Sequence, residues 1–95
     1  VGPAQWDEIA ADARLTLIGG VPDGVDLVLI DTPPSLGLWL HCALSAADGY
    51  VLLGEPGILS ARGMGAFLET AERVTQHINP DLRRLGVVVN NVRPT

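Results

Sequence analysis

Leu27-Val28-Leu29-Ile30-Asp31-Thr32-Pro33-Pro34-Ser35-Leu36-Gly37 is the stretch whose reading decides the fold of this 95-residue chain. Its apolar half does not alternate with polar residues, which predicts a strand from about 26 to 31 covered on both faces, as in a parallel sheet. Pro33 and Pro34 then forbid the strand from continuing. Asp31 is thereby expected at the carboxyl end of a strand, where α/β proteins meet their ligands.

On either side of this stretch the pattern changes to helical. From Ala4 to Leu17 the residues Trp6, Ile9, Ala10, Ala13 and Leu17 recur at helical spacing, Pro3 suits a first turn, and Gly19-Gly20 ends the helix. Val21-Pro22-Asp23-Gly24 supplies a turn before the strand. After the prolines, Leu36, Leu40, Ala43, Leu44 and Ala47 share one helical face, and Asp48-Gly49 closes that helix ahead of a short strand, Tyr50-Val51-Leu52-Leu53. Ser60 is placed to cap a third helix with the stripe Met64, Phe67, Leu68, Ala71, Val74 and Ile78, ended by Asn79-Pro80. A last strand, Leu85 to Val89, follows Arg83-Arg84, read as its solvated start. The expected order is α-β-α-β-α-β, and strands joined through helices run parallel.

The whole of residues 1–95 reads as a single α/β domain. Hydrophobic residues make up 47% and charged residues 18%, the balance of a chain with a core rather than a disordered one. Three strands make a narrow sheet, so part of a larger domain, or a degenerate relative of one, is expected. Eleven acids oppose six arginines for a net charge of -5, which offers no broad footprint for a phosphate backbone. Cys42 stands alone, excluding an internal disulfide. No apolar stretch approaches the roughly 20 residues of a membrane span, and the start lacks a secretory pattern; a cytoplasmic location is expected.

The residues from Val25 to Asn91 resemble the ParA/MinD-like family of deviant P-loop ATPases, beginning with its Walker B and switch II region at Val28-Leu29-Ile30-Asp31-Thr32-Pro33-Pro34-Ser35-Leu36-Gly37. The likeness continues in order through Ala43-Leu44-Ser45-Ala46-Ala47-Asp48, Glu55-Pro56, Ser60-Ala61-Arg62-Gly63-Met64, Ile78-Asn79-Pro80-Asp81-Leu82 and Leu85-Gly86-Val87-Val88-Val89. An ordered series of short matches is far more specific than any one of them. It implies a partial P-loop NTPase domain with the three-layer arrangement of that fold.

The resemblance implies that Asp31 is the catalytic and metal-binding acid, holding Mg²⁺ that bridges the β- and γ-phosphates of ATP. It implies that Thr32, Pro33, Pro34 and Gly37 shape the nucleotide-facing turn and that Asn90 and Asn91 lie near the adenine base. The residues also allow plainer roles: Asp31 as a helix cap, the prolines as strand terminators, the asparagines as turn formers. For an intact relative the resemblance implies an ATP-dependent homodimer, a centromere-binding adaptor protein, non-specific DNA binding, and ATP hydrolysis that drives plasmid or chromosome segregation.

The chain departs from the family in having no lysine at all. Neither Gly19-Gly20 nor Gly63-Met64-Gly65 builds a phosphate loop, so these 95 residues are expected to be inactive alone. Glu55 and Gly57 stand where the family carries glutamine and an acid. Two other readings remain: a non-catalytic α/β interaction module, and a receiver-like phosphoacceptor domain, which the missing lysine opposes. The turn lacks the first glycine of a nucleophile elbow, His41 and Cys42 are adjacent on a helix and cannot share a metal, and both are read as packing residues without an acidic partner.

Overall fold

In a computed structural model of the chain, residues 3–32, 37–54 and 61–90 are described. Helix α1 spans Pro3–Gly19 and α2 spans Leu38–Ala46; strand β1, Gly49–Gly54, leads through α3, Ala61–His77, to β2, Arg83–Val89. The two strands are parallel, paired from Gly49 with Arg83 to Gly54 with Val89. A parallel pair cannot be joined by a tight turn, and α3 supplies the crossover. Opposite Tyr50 and Val51 the register jumps from Arg84 to Gly86, leaving Leu85 as the extra residue of a bulge. Leu85 lies over Gly49, where an added Cβ would stand 2.9 Å from its side chain.

Each helix ends for a local reason. The Gly20 N–H donates to Thr16 O at 3.0 Å and closes α1 where the glycine pair stops it. Gly37 precedes α2 in an extended conformation without a side-chain cap, and the Ala47 N–H reaches Ala43 O at its far end. Leu40 to Ser45 are all buried, as expected of a helix apolar on nearly every side. Asn79 ends the α3 region by donating its own N–H to Val74 O at 2.8 Å.

The core gathers Leu40, Leu44, Ala71, Val74 and Leu82, with Tyr50, Phe67, Ala47 and Ile78 packed against it. Fully burying a leucine or valine contributes about 1.5–3 kcal/mol, so this cluster is the main apolar source of stability. The α3 stripe read from sequence is the one that packs: Ala71 and Val74 are buried and Phe67 meets Tyr50 with ring centres 5.4 Å apart. In α1 the stripe is only partly used, since Ala10 is buried while Ile9 and Leu17 are exposed.

One expected element differs. Residues 26–31 form no strand, and Leu27 and Leu29 are 75% and 85% exposed. A strand apolar on both faces needs a ladder partner and cover above and below. Among the described residues, α1 packs on α2, α2 on α3, and β1 on β2, which leaves no element to cover the run. The order observed is therefore α-α-β-α-β, a parallel α/β arrangement without the first expected strand or a second covering layer. Ser60, the expected cap, and the Glu55-Pro56-Gly57 segment lie outside the described residues. Among the described residues no helix is long and apolar enough to cross a membrane.

Candidate functional site

Asp31 is exposed at the end of the unpaired apolar run, and Thr32 beside it is half-buried. Pro33 and Pro34 lie outside the described residues. Gly37 closes the turn as the residue before α2, with φ -110° and ψ -169°, and its carbonyl accepts the His41 N–H at 3.2 Å. Asn90 is exposed just past β2, its N–H donating to Gly54 O at 2.8 Å, so it extends the ladder at the carboxyl ends of both strands. Asn91 lies outside the described residues. No hydrogen bond among the described residues joins Asp31 to Asn90, and neither of two open grooves on the molecule is lined by them.

No group of three or more His, Cys, Asp or Glu among the described residues is arranged to hold a metal ion. Magnesium keeps several waters, takes one or two carboxylates and leaves its remaining positions to phosphates. Asp31 is a single exposed carboxylate, a hard oxygen donor of the type that magnesium takes.

The described structure also holds a polar constellation that the sequence reading missed. His41, 1% exposed, places Nε2 2.8 Å from Oδ1 of Asp7, and the other carboxylate oxygen accepts from Arg73 Nη2 at 2.9 Å. An ionised carboxylate only accepts, so the proton of the His41 bond sits on Nε2. Burial pushes the Asp7 carboxyl up, but the hydrogen bonds from His41 and Arg73, with the charge of each, outweigh it and hold the group below its ordinary range. Trp6 stands edge-on to the imidazole, ring centres 6.0 Å apart. His41 is thus a partnered residue rather than a packing residue alone. Cys42 beside it is buried, and burial pushes its thiol up, away from a reactive thiolate.

Ser45 donates to the backbone carbonyl of His41 at 2.7 Å, not to its ring, so Asp7, His41 and Ser45 make no nucleophilic triad. At the far end of α2, Asn79 Nδ2 donates to Leu44 O at 3.1 Å and to Ala47 O at 2.6 Å. One sequence signal was available for His41: a titratable residue inside Leu38-Trp39-Leu40-His41-Cys42-Ala43-Leu44 must find a partner when buried. Its identity was not, because Asp7 is 34 residues away.

The model of the AAA-domain family matches residues 10–84. The chain is 42% identical to the chromosome-partitioning ATPase Soj of Thermus thermophilus over 92% of this chain and 37% of that protein. It is 34% identical to the sporulation initiation inhibitor protein Soj of Bacillus subtilis over 85% of this chain and 32% of that protein. Against the chromosome partitioning protein ParA of Myxococcus xanthus it is 36% identical over 67% of this chain and 23% of that protein. The chain therefore spans well under half the length of these relatives. No solved structure matches it. Matched by the AAA-domain model across its core and similar to three such proteins, the chain belongs to the ParA-like family of P-loop ATPases.

Proposed function

We propose that this chain is the Asp31-bearing portion of a partition ATPase that, when complete, binds and hydrolyses ATP with magnesium to drive plasmid or chromosome segregation. The observation that carries the reading is the exposed Asp31 carboxylate at the end of an apolar run, directly ahead of the turn into α2. Bound magnesium would draw charge from the β- and γ-phosphates. Asp31 would hold that ion, while Thr32, Pro33, Pro34 and Gly37 would shape the turn beside it. Asn90 and Asn91 would lie near the adenine, whose edge an asparagine amide can both donate to and accept from. The phosphates themselves are held by a lysine-bearing loop that these 95 residues lack. The complete protein works in the cytoplasm as an ATP-dependent homodimer, with a centromere-binding adaptor and non-specific DNA as its partners.

Calorimetric titration of magnesium-ATP into the 95-residue chain tests the dependence on that loop, and the expected result is weak or no binding and no turnover. Micromolar affinity abolished by Asp31→Ala would overturn it. In a longer protein that carries this segment behind a phosphate loop, Asp31→Ala is expected to slow hydrolysis by about 100-fold or more, the scale of losing one preorganised electrostatic partner. Its melting temperature should barely move, because an exposed charge supports no packing. Parallel loss of fold and activity would make Asp31 structural. A non-catalytic α/β interaction module is the second reading, favoured by the complete absence of lysine. Full hydrolysis by Asp31→Ala in that longer protein would leave this second reading for the segment.

A further inference from the structure

Helix α2 is held at both ends by polar side chains from other elements. At its end the Asn79 amide binds two carbonyls, Leu44 O and Ala47 O. Near its start the buried His41 imidazole is bound to Asp7 on α1, whose second oxygen is bound to Arg73 on α3. The same His41 supplies the backbone N–H that closes the first turn of α2 on Gly37 O. The side-chain anchor and the backbone bond to the preceding turn therefore sit on one residue.

We propose that Asp7 is a positioning residue: its carboxylate, shared between α2 and α3, fixes where α2 begins and so where Gly37, the residue leading into it, stands. The consequence for magnesium and ATP rests on the reading of Asp31 given above; the positioning itself does not. A carboxylate suits the task because both of its oxygens accept, and both neighbours donate. A neutral imidazole can also accept, so an asparagine there keeps both bonds only if its oxygen stays on Arg73 and the His41 proton moves from Nε2 to Nδ1, and it gives up the charge of the carboxylate in either case. Of the two donors His41 is the buried one, at 1% exposed, whereas the Arg73 side chain is 36% exposed and reaches water. A charge-assisted hydrogen bond broken in a low-dielectric setting leaves the other group desolvated and unpaired.

Residue-resolved amide exchange on the 95-residue chain tests the proposal without nucleotide. Asp7→Asn is expected to speed exchange of the His41 amide by about tenfold or more, while Val87 and Val88 in β2 stay within about twofold. Asp7→Glu, which keeps two accepting oxygens, should recover part of the protection. In a His41→Leu background the side-chain bond is already gone, and adding Asp7→Asn should leave the residue-41 amide as it was. In a Trp39→Phe chain, the emission of Trp6, the one tryptophan then remaining, should shift with Asp7→Asn because the ring lies against His41. Unchanged His41 exchange would overturn the proposal, as would equal acceleration across α2, α3 and β2, or a further loss in the His41→Leu background. Should Asp7→Asn not fold, the His41→Leu single variant reads the same bond: faster residue-41 exchange with β2 unaltered supports positioning, and no local change refutes it. Asp31→Ala is expected to leave His41 exchange untouched, so failure of the nucleotide reading and failure of the positioning proposal give separate results.

Discussion

Residues 38–47 and residues 25–30 are both strongly apolar, yet the first segment is the centre of the molecule and the second lies open. Leu44 is 3% exposed and Leu40 7%, whereas Leu29 is 85% exposed and Leu27 75%. The open segment is the more apolar of the two, five aliphatic residues broken only by Asp26, while His41 and Ser45 interrupt the buried one; what the open segment lacks is partners. The segment at 38–47 has α1 on one side, α3 on another and polar clamps at its start and end. The segment at 25–30 has neither a ladder nor a covering helix among the described residues. Apolar character supplies the drive to leave water, and topology decides whether there is anywhere to go.

The largest effect that separates the two segments is a truncation in the core. Leu44→Ala is expected to cost about 2–5 kcal/mol in denaturant unfolding, the usual range for a leucine whose neighbours relax only partly. A loss under about 1 kcal/mol would mean that α2 is no better packed than the open segment. Second comes the clamp at the end of α2. Asn79→Ala leaves the buried Leu44 O and the half-buried Ala47 O without their side-chain donor, and a cost of about 1–3 kcal/mol is expected. Asn79→Asp should be no better, because a carboxylate cannot donate to a carbonyl.

The other clamp is read through pH. Asp7 titrates below its ordinary value of 3.8 in the folded chain. The stability it contributes is fully present above that ordinary value and is lost as pH falls through the lower folded one. Unfolding followed from neutral pH downward should therefore show an acid limb that Asp7→Asn flattens. An unchanged limb would mean that the Asp7 bonds to His41 and Arg73 are not formed in solution.

These clamps mark the boundary of what was legible in sequence. The helices were readable because a 3.6-residue period is local: the α3 stripe through Phe67, Ala71 and Val74 is the one that packs. Strands β1 and β2 were readable because each is short, apolar and bounded by turn residues. Residues 26–31 gave the same local signal and no strand, because a ladder is a property of two segments and its partner is not encoded in either. For the candidate site, Asp31 was expected as a strand-end acid before two prolines, but residues 26–31 form no strand, so the acid stands after an apolar run and not on a sheet edge. The Asp7, His41 and Arg73 constellation was not legible, since it unites three helices across 34 and 66 residues of chain.

The smallest expected effect is the most direct test of the comparison. Leu29→Ser removes a large apolar side chain, and in a buried strand that change would rank among the most damaging, through lost transfer energy and a stranded hydroxyl. At 85% exposure Leu29 has little burial to lose, so stability should change by no more than about 0.5 kcal/mol. Aggregation should fall in the same variant, because an open run of Val25, Leu27, Val28, Leu29 and Ile30 is a template for pairing between chains. Light scattering and chemical unfolding on the same sample read both quantities. A cost above about 2 kcal/mol would mean that residues 26–31 are packed in solution as the strand that their sequence predicts, and the contrast with α2 would disappear. Near-neutral stability with reduced association would place the difference between the two segments in their partners alone, since Leu29 and Leu44 are the same side chain in two surroundings.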